Sequence, residues 1–255
     1  MKRKMFWSLV YKEAVLIKNK RFTVLTAGLM ALIFLSWSAI SSAKDKEEKE
    51  VDRIQNAGTV LKEILDIPDD IPRDLLDKAR CVMVFPSVVK AAFVVGGSYG
   101  RGVMVCRTSK DFTGPWGAPA MMALEGGSVG LQIGGQATDF VILVMDSRGA
   151  DSLLHSKVKL GADASIAAGP KGRDAQAATD VTFRSEMLSY SRARGVFAGV
   201  SLEGSTVHPD DDANRRLYGR DVNADKIITE SKVQAPPEAR DLIAVLQKAT
   251  PHLKQ

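Results

Sequence analysis

The sequence is poor in cysteine, histidine and aromatic residues. Two cysteines in 255 residues are too few for a disulfide-built scaffold or a four-cysteine zinc site. Three histidines, His155, His208 and His252, stand apart with no spacing that suits zinc. A phosphate loop of the G-x-x-x-x-G-K-[ST] type is missing. Gly97-Ser98-Tyr99-Gly100 lacks the strand-to-helix setting of a dinucleotide fingerprint. These gaps leave no cofactor to expect. What is present is ordinary for a globular protein: 45% hydrophobic and 25% charged residues, with 21 glycines and 10 prolines. That balance argues against long disorder or a collagen-like repeat.

The charge is unevenly placed. Thirty-five Lys+Arg against 30 Asp+Glu give a net of +5, which taken alone suggests a polyanionic partner. Residues 1–43, however, hold seven basic groups and one acid, so the remaining chain is near neutral at −1. Nucleic acid is therefore not an expected partner. Within the remainder, residues 80–200 carry a local excess of +4.

Residues 22–40 form 19 uncharged, mostly apolar positions behind that basic cluster. As a helix they would rise about 28 Å, close to the thickness of a bilayer core. The small residues Ser41-Ser42-Ala43 then suit a signal peptidase site. Residues 1–43 are thus expected to be a signal peptide or an uncleaved N-terminal membrane anchor. Both readings export the rest, to a periplasmic or envelope location or to one tethered to the inner membrane by 22–40. Residues 44–50 look like a charged tether.

The exported part begins with helical spacing. Val51, Ile54, Ala57, Leu61, Ile64 and Leu65 recur at steps of three and four, marking an amphipathic helix over 50–65. Its polar face mixes acids and bases, which favours packing on a core over lying on a membrane. A short helix follows Pro72. From Cys81 to Leu202 the chain reads as consecutive strands: CVMVF, AAFVVGGSY, GVMVCR, AMMALEGG, VGLQIGG, TDFVILVM, ASIAAG, ATDVTFRSEMLSYSR and VFAGVSLEGS. Brief glycine-rich turns between them imply antiparallel pairing. SRGADSLLHS, residues 147–156, interrupts the series as a helix. Beyond Leu202 the chain is polar and helical.

Several of these stretches resemble the SYLF domain, a lipid-binding family. They are IPRDLLDKARCVMVFPSVVKAAFVVGGSYGRGVMVCR, GGQATDFVILVM, LGADASIAAGPKGRDAQA, SYSRARGVFAGVSLEGS and DANRRLYG. The resemblance spans about residues 52–248, and SYSRARGVFAGVSLEGS carries it most specifically. It implies one α+β domain over 51–250, with a mainly antiparallel, curved or barrel-like β body flanked by N- and C-terminal helices. It also implies binding to anionic membrane lipid head groups rather than catalysis. Eukaryotic members work with phosphoinositides beside actin. An exported chain would not meet cytoplasmic actin, so another anionic phospholipid is expected here.

Six basic residues in the matching segments are the head-group candidates: Lys90, Arg101, Lys171, Arg173, Arg192 and Arg194. Glycine beside a cation lets backbone N–H groups and the charged head approach one phosphate, and Arg adds bidentate contacts. The competing reading is structural pairing with Asp139, Asp163 or Asp180. Phe93, Tyr99, Phe112 and Trp116 are expected to add apolar contact.

Other motifs are weaker. Gly126–Gly130 fits G-x-S-x-G, with Ser128 as nucleophile and Asp180 and His208 following in triad order. Strand-like sequence follows it, however, where a nucleophile elbow needs a helix; a plain turn is the simpler reading. Asp210, Asp212 and Asn214 match calcium-loop positions 1, 3 and 5, and Asp221 matches position 12. Arg215 occupies the glycine position, so a helix N-cap is the simpler account. Export would permit a Cys81–Cys106 disulfide; reduced core thiols are the alternative. The function expected is an exported lipid-binding protein. A structural or stress protein of the envelope that binds another protein is the alternative, its partner unknown, and a serine hydrolase is a distant third.

Overall fold

The computed structural model describes residues 48–251 apart from 68–69, 93–94, 130–133, 172–183, 194–195, 220–221 and 231–232. For 90–92, 95–96, 127–129 and 134–136 it describes the backbone alone. The expected leader over 1–43 lies outside the described residues. So do residues 44–47 of the expected tether.

The apolar runs form one curled nine-stranded sheet. The strands are β1 (Cys81–Ala92), β2 (Val95–Cys106), β3 (Ala120–Val129), β4 (Gly134–Val144), β5 (Val158–Lys159), β6 (Ile166–Ala168), β7 (Met187–Ala193), β8 (Val196–Gly199) and β9 (Ser205–Pro209). Their order is β5-β9-β3-β2-β1-β4-β7-β6, with β8 paired to β7. A short hairpin joins β1 to β2, β3 lies antiparallel on the other side of β2, and β4 pairs antiparallel with the free edge of β1, as the expected antiparallel pairing requires. One described pair is parallel, β6 with β7, where Ile166 stands opposite Met187.

The sequence reads two strands around Pro86, but β1 passes through it. Proline has no N–H for the ladder, and the strand absorbs it as a bulge. Register shifts between Val84 and Val89 against β2, and between Phe85 and Val88 against β4. Ser87 adopts φ 51° there, and its N–H donates to Asp139 Oδ1 at 2.9 Å. The stretch AAFVVGGSY divides between the paired strands β1 and β2, and VGLQIGG divides between β3 and β4, which are not neighbours in the sheet.

Strand runs that are apolar at every position make sense because both faces of the sheet are covered. Met83, Phe85, Met104, Met122, Phe140 and Ile142 face one core, with Leu153 and Leu154 of α3 (Ser147–His155) and Ile227 and Ile228 of α5 (Ala224–Ile228). Val82, Val84, Val103, Val105, Val141 and Leu143 face the other. There they meet α1 (residues 48–65), α2 (Arg73–Lys78) and α6 (Arg240–Ala249).

Ile54, Ala57, Leu61 and Ile64 of α1 are fully buried in this second core. At about 2 kcal/mol for each large aliphatic side chain, that face is committed to packing. The helix also starts earlier than expected: residues 48–50 are helical, and Glu50 of the expected tether is buried. The remaining helix, α4 (Asp211–Tyr218), is capped by the Asp210 side chain at Ala213 N–H. It ends at Gly219, whose φ of 63° suits glycine.

Candidate functional site

Register places several strand ends together. Val89 pairs with Tyr99 in β2 and with Ala137 in β4. Asp139 of β4 pairs with Arg192, so β7 ends at Ala193 beside the level of Val89. Val196 opens β8 opposite Ala193. Val89, Tyr99 and Val196 are 53%, 49% and 68% exposed, the large hydrophobic side chains left open among the described residues. All three sit at one end of the sheet. The Lys90 backbone lies there too, opposite Ser98 and Gln136. β6 runs parallel to β7 toward the same end, and the chain leaving it carries the exposed Lys171.

Among the predicted cations, two arginines behave in opposite ways. Arg192 spends its guanidinium on carboxylates. Its Nε and Nη2 donate to Asp139 Oδ2 at 3.1 and 2.9 Å, and its Nη1 pairs with Glu63 of α1. It fastens α1 to the sheet, which is the pairing with Asp139 weighed from sequence. Arg101 is held only at Nε. That nitrogen donates to the Tyr99 hydroxyl at 2.6 Å and stands 3.4 Å from Asp210 Oδ2. Its pKa is raised, first by the Tyr99 hydrogen bond. The side chain is 39% exposed, and its two terminal nitrogens make no hydrogen bond among the described residues. A guanidinium held at one edge with its fork open is prepared for a bidentate anion. Lys90's side chain, Arg173 and Arg194 fall outside what is described.

Sequence reasoning missed the group beside Arg101. Glu50 is 2% exposed and accepts from Arg53 and from Arg216, whose Nη2 lies at 2.7 Å. A buried carboxylate needs such partners. The only sequence signal was an acid three residues before Arg53 on a helix.

The other candidates resolve individually. Phe112 and Trp116 are buried, so they are not surface contacts; Trp116 donates from Nε1 to Thr250, and Phe93 lies outside the described residues. Ser128 sits within β3 opposite Gly96, in straight strand rather than a turn or an elbow. His208 faces Glu125 at 3.3 Å, and Asp180 lies outside the described residues. Asp210 caps α4, Asp212 pairs with Arg215, and Asn214 accepts from Met121 N–H at 2.7 Å. Each thus has other work than calcium, and Asp221 lies outside the described residues. No cluster of three His, Cys, Asp or Glu side chains fit for a metal occurs among the described residues. Cys81 and Cys106, opposite each other in β1 and β2, are joined by a disulfide.

Residues 125–249 match the family described as "Ysc84: Las17-binding protein actin regulator". The SH3 domain-containing protein PJ696.02 of Schizosaccharomyces pombe is 35% identical over 210 residues, 81% of this chain and 48% of that protein. The chain belongs to the SYLF (Ysc84) family. Protein YSC84 of Saccharomyces cerevisiae is 36% identical over 180 residues, covering 69% of the SYLF chain and 37% of its own length. SH3 domain-containing YSC84-like protein 1 of Homo sapiens is 31% identical over 203 residues, 77% of the SYLF chain and 58% of its own. The SYLF chain thus spans about half the length of the curated relatives it matches.

Membership gives the stretch SYSRARGVFAGVSLEGS a physical content. It is the β7–β8 hairpin and its exit. Tyr190 stacks on Phe197 with ring centroids 5.5 Å apart, and Arg192 ties α1 down. Burial pushes the Tyr190 phenol well above its usual range.

Proposed function

We propose that this SYLF protein is an exported, non-enzymatic lipid-binding protein that docks the open end of its sheet on an anionic membrane surface. The observation that carries the reading is Arg101, whose terminal nitrogens make no hydrogen bond among the described residues although its Nε stands near Asp210, next to the exposed Tyr99 and Val89. Cations neutralise head groups at about 1 kcal/mol each near an anionic surface. The apolar side chains add shallow contact. Arg101 and Lys171 make the head-group contacts, joined by Lys90, Arg173 and Arg194 as the sequence leads one to expect. Arg192 supports the fold beneath them. Export is supported by the apolar segment 22–40 and by the disulfide, a bond that persists in oxidising compartments.

A second reading has its own support. The family description and a relative's name, LAS seventeen-binding protein 3, speak of binding a protein. The same sheet end would then serve a protein partner. Charge reversal separates the two. Arg101→Glu is expected to weaken co-sedimentation with phosphatidylglycerol vesicles about thirtyfold, two charge units at about 1 kcal/mol each, in protein that circular dichroism shows to be folded. Binding that survives the reversal, or that ignores lipid charge, would favour the protein partner.

A further inference from the structure

The turn that carries Lys171 is built with unusual closeness. β6 ends at Ala168, and the chain continues as Gly169-Pro170-Lys171. Gly169 N–H donates to Ser189 O at 3.0 Å, and Val200 N–H donates to the same carbonyl at 3.1 Å. Ser189 Oγ donates to Val200 O at 2.5 Å. The two segments are drawn so near that a Cβ on Gly199 would stand 2.0 Å from Gly169 O. A Cβ on Gly169 would meet the Tyr190 ring at 2.1 Å. Tyr190 therefore lies directly under the turn. Its ring is fixed by Phe197, and its hydroxyl donates to Pro170 O at 3.1 Å.

A buried phenol with its hydroxyl reaching outward is a packing anchor with one polar handle. Here the handle holds the carbonyl one residue before an exposed lysine. Pro170 is itself half-buried and has no N–H to give, and its carbonyl accepts from the Tyr190 hydroxyl.

We infer that Tyr190 is a positioning residue, which orients the Gly169–Lys171 turn so that Lys171 is presented to an anionic head group. The inference rests on the lipid reading above and names a group that acts through Lys171 rather than by touching lipid. A pre-set turn spares the ordering cost that a loose lysine would incur on binding.

The test compares Tyr190→Phe, Lys171→Ala and the double variant with Tyr218→Phe as a matched control. Tyr218 likewise donates its hydroxyl to a proline carbonyl, that of Pro119, and packs against the core on the opposite sheet face. Two readouts are used on the full chain. The first is the rate of tryptic cleavage after Lys171 in native protein, read by mass spectrometry. Losing a hydrogen bond worth about 1 kcal/mol should speed local opening about fivefold in Tyr190→Phe and leave Tyr218→Phe at the wild-type rate. The second is affinity for phosphatidylglycerol vesicles. Tyr190→Phe should weaken it by up to about fivefold, the increment of one lysine. It should weaken it no further once Lys171 is alanine, because the two act as one unit.

Equal cleavage rates in the two tyrosine variants would overturn the inference. So would a Tyr190→Phe loss that persists in full on the Lys171→Ala background. Wild-type protein that binds no anionic vesicle would overturn the lipid reading instead, and the cleavage comparison would still report whether Tyr190 holds the turn.

Discussion

The Tyr99 hydroxyl accepts from Arg101 Nε at 2.6 Å across one step of β2. Tyrosine and arginine two apart on a strand share a face, and here the phenol sets the direction of the guanidinium. Tyr99→Phe should therefore keep the fold and lower vesicle affinity by about threefold, the cost of ordering one freed side chain. Arg101→Lys should lose more, since an ammonium makes no bidentate contact. Vesicle titration with a thermal melt on each variant checks this. Undiminished affinity in Tyr99→Phe would show that the contact is idle.

Arg107 should matter to stability rather than to binding. It is fully buried, lies 4.4 Å over the Trp116 ring, and donates to Ala79 O at 3.3 Å and Thr250 O at 3.2 Å. It thus closes the C-terminal ends of α2 and α6 on the sheet. Burial lowers its pKa, which the nearby Asp77 raises and Arg80 lowers further. Arg107→Ala leaves Ala79 O without that donor, leaves Thr250 O to Trp116 Nε1 alone, and empties a buried site over the Trp116 ring; it should cost about 3 kcal/mol. For a domain of this size that is a fall of roughly 6–12 °C in melting temperature. Vesicle binding measured well below the melt should not change.

The Cys81–Cys106 disulfide closes a loop of sequence separation 25. Loop-closure entropy for that length gives about 3.5 kcal/mol. Denatured protein should show no reactive thiol before reduction and both cysteines after it. The double alanine variant should melt well below the wild type. Free thiols in protein taken from its native compartment would count against export.

His155 supplies a pH signature. Its pKa is raised from the ordinary 6.5, first by the Asp151 carbonyl and then by Asp225 and Asp151 against a desolvation that lowers it. The folded chain therefore binds that proton more tightly than the unfolded chain does. The stability so gained is full below the unfolded value of 6.5 and is lost as pH rises through the folded value. The melting-temperature gap between wild type and His155→Gln should be larger at about pH 5.5 than at about pH 8.5. A gap independent of pH would refute the assignment.

Much of the fold was legible in the residues. The three-and-four spacing from Ile54 to Ile64 gave α1, and the Val/Ile/Met runs gave the central strands. Pro86 misled, because a bulge lets a strand carry a proline that a regular ladder would reject. The site was legible as a set of candidates but not as a ranking. Arg101 and Arg192 look alike in sequence, each beside a Gly- or Ser-rich strand. Only the cross-strand register reveals that Asp139 faces Arg192 and that Tyr99 holds Arg101 by its Nε alone. Glu50 was hidden because a charged run reads as solvent-facing until its arginine partners, one of them Arg216 far along the chain, are brought to it. Trp116 and Phe112 were misplaced because a turn aromatic is equally suited to a surface or to closing a core.

The most direct measurement is co-sedimentation of the full chain with vesicles of phosphatidylglycerol and phosphatidylcholine, against vesicles of phosphatidylcholine alone, at low and high salt. The account predicts binding to the anionic vesicles only, weakened by salt. Arg101→Ala with Lys171→Ala should reduce it about thirtyfold, at about 1 kcal/mol per cation. Equal binding to both kinds of vesicle, unmoved by salt or by the double variant, would contradict it.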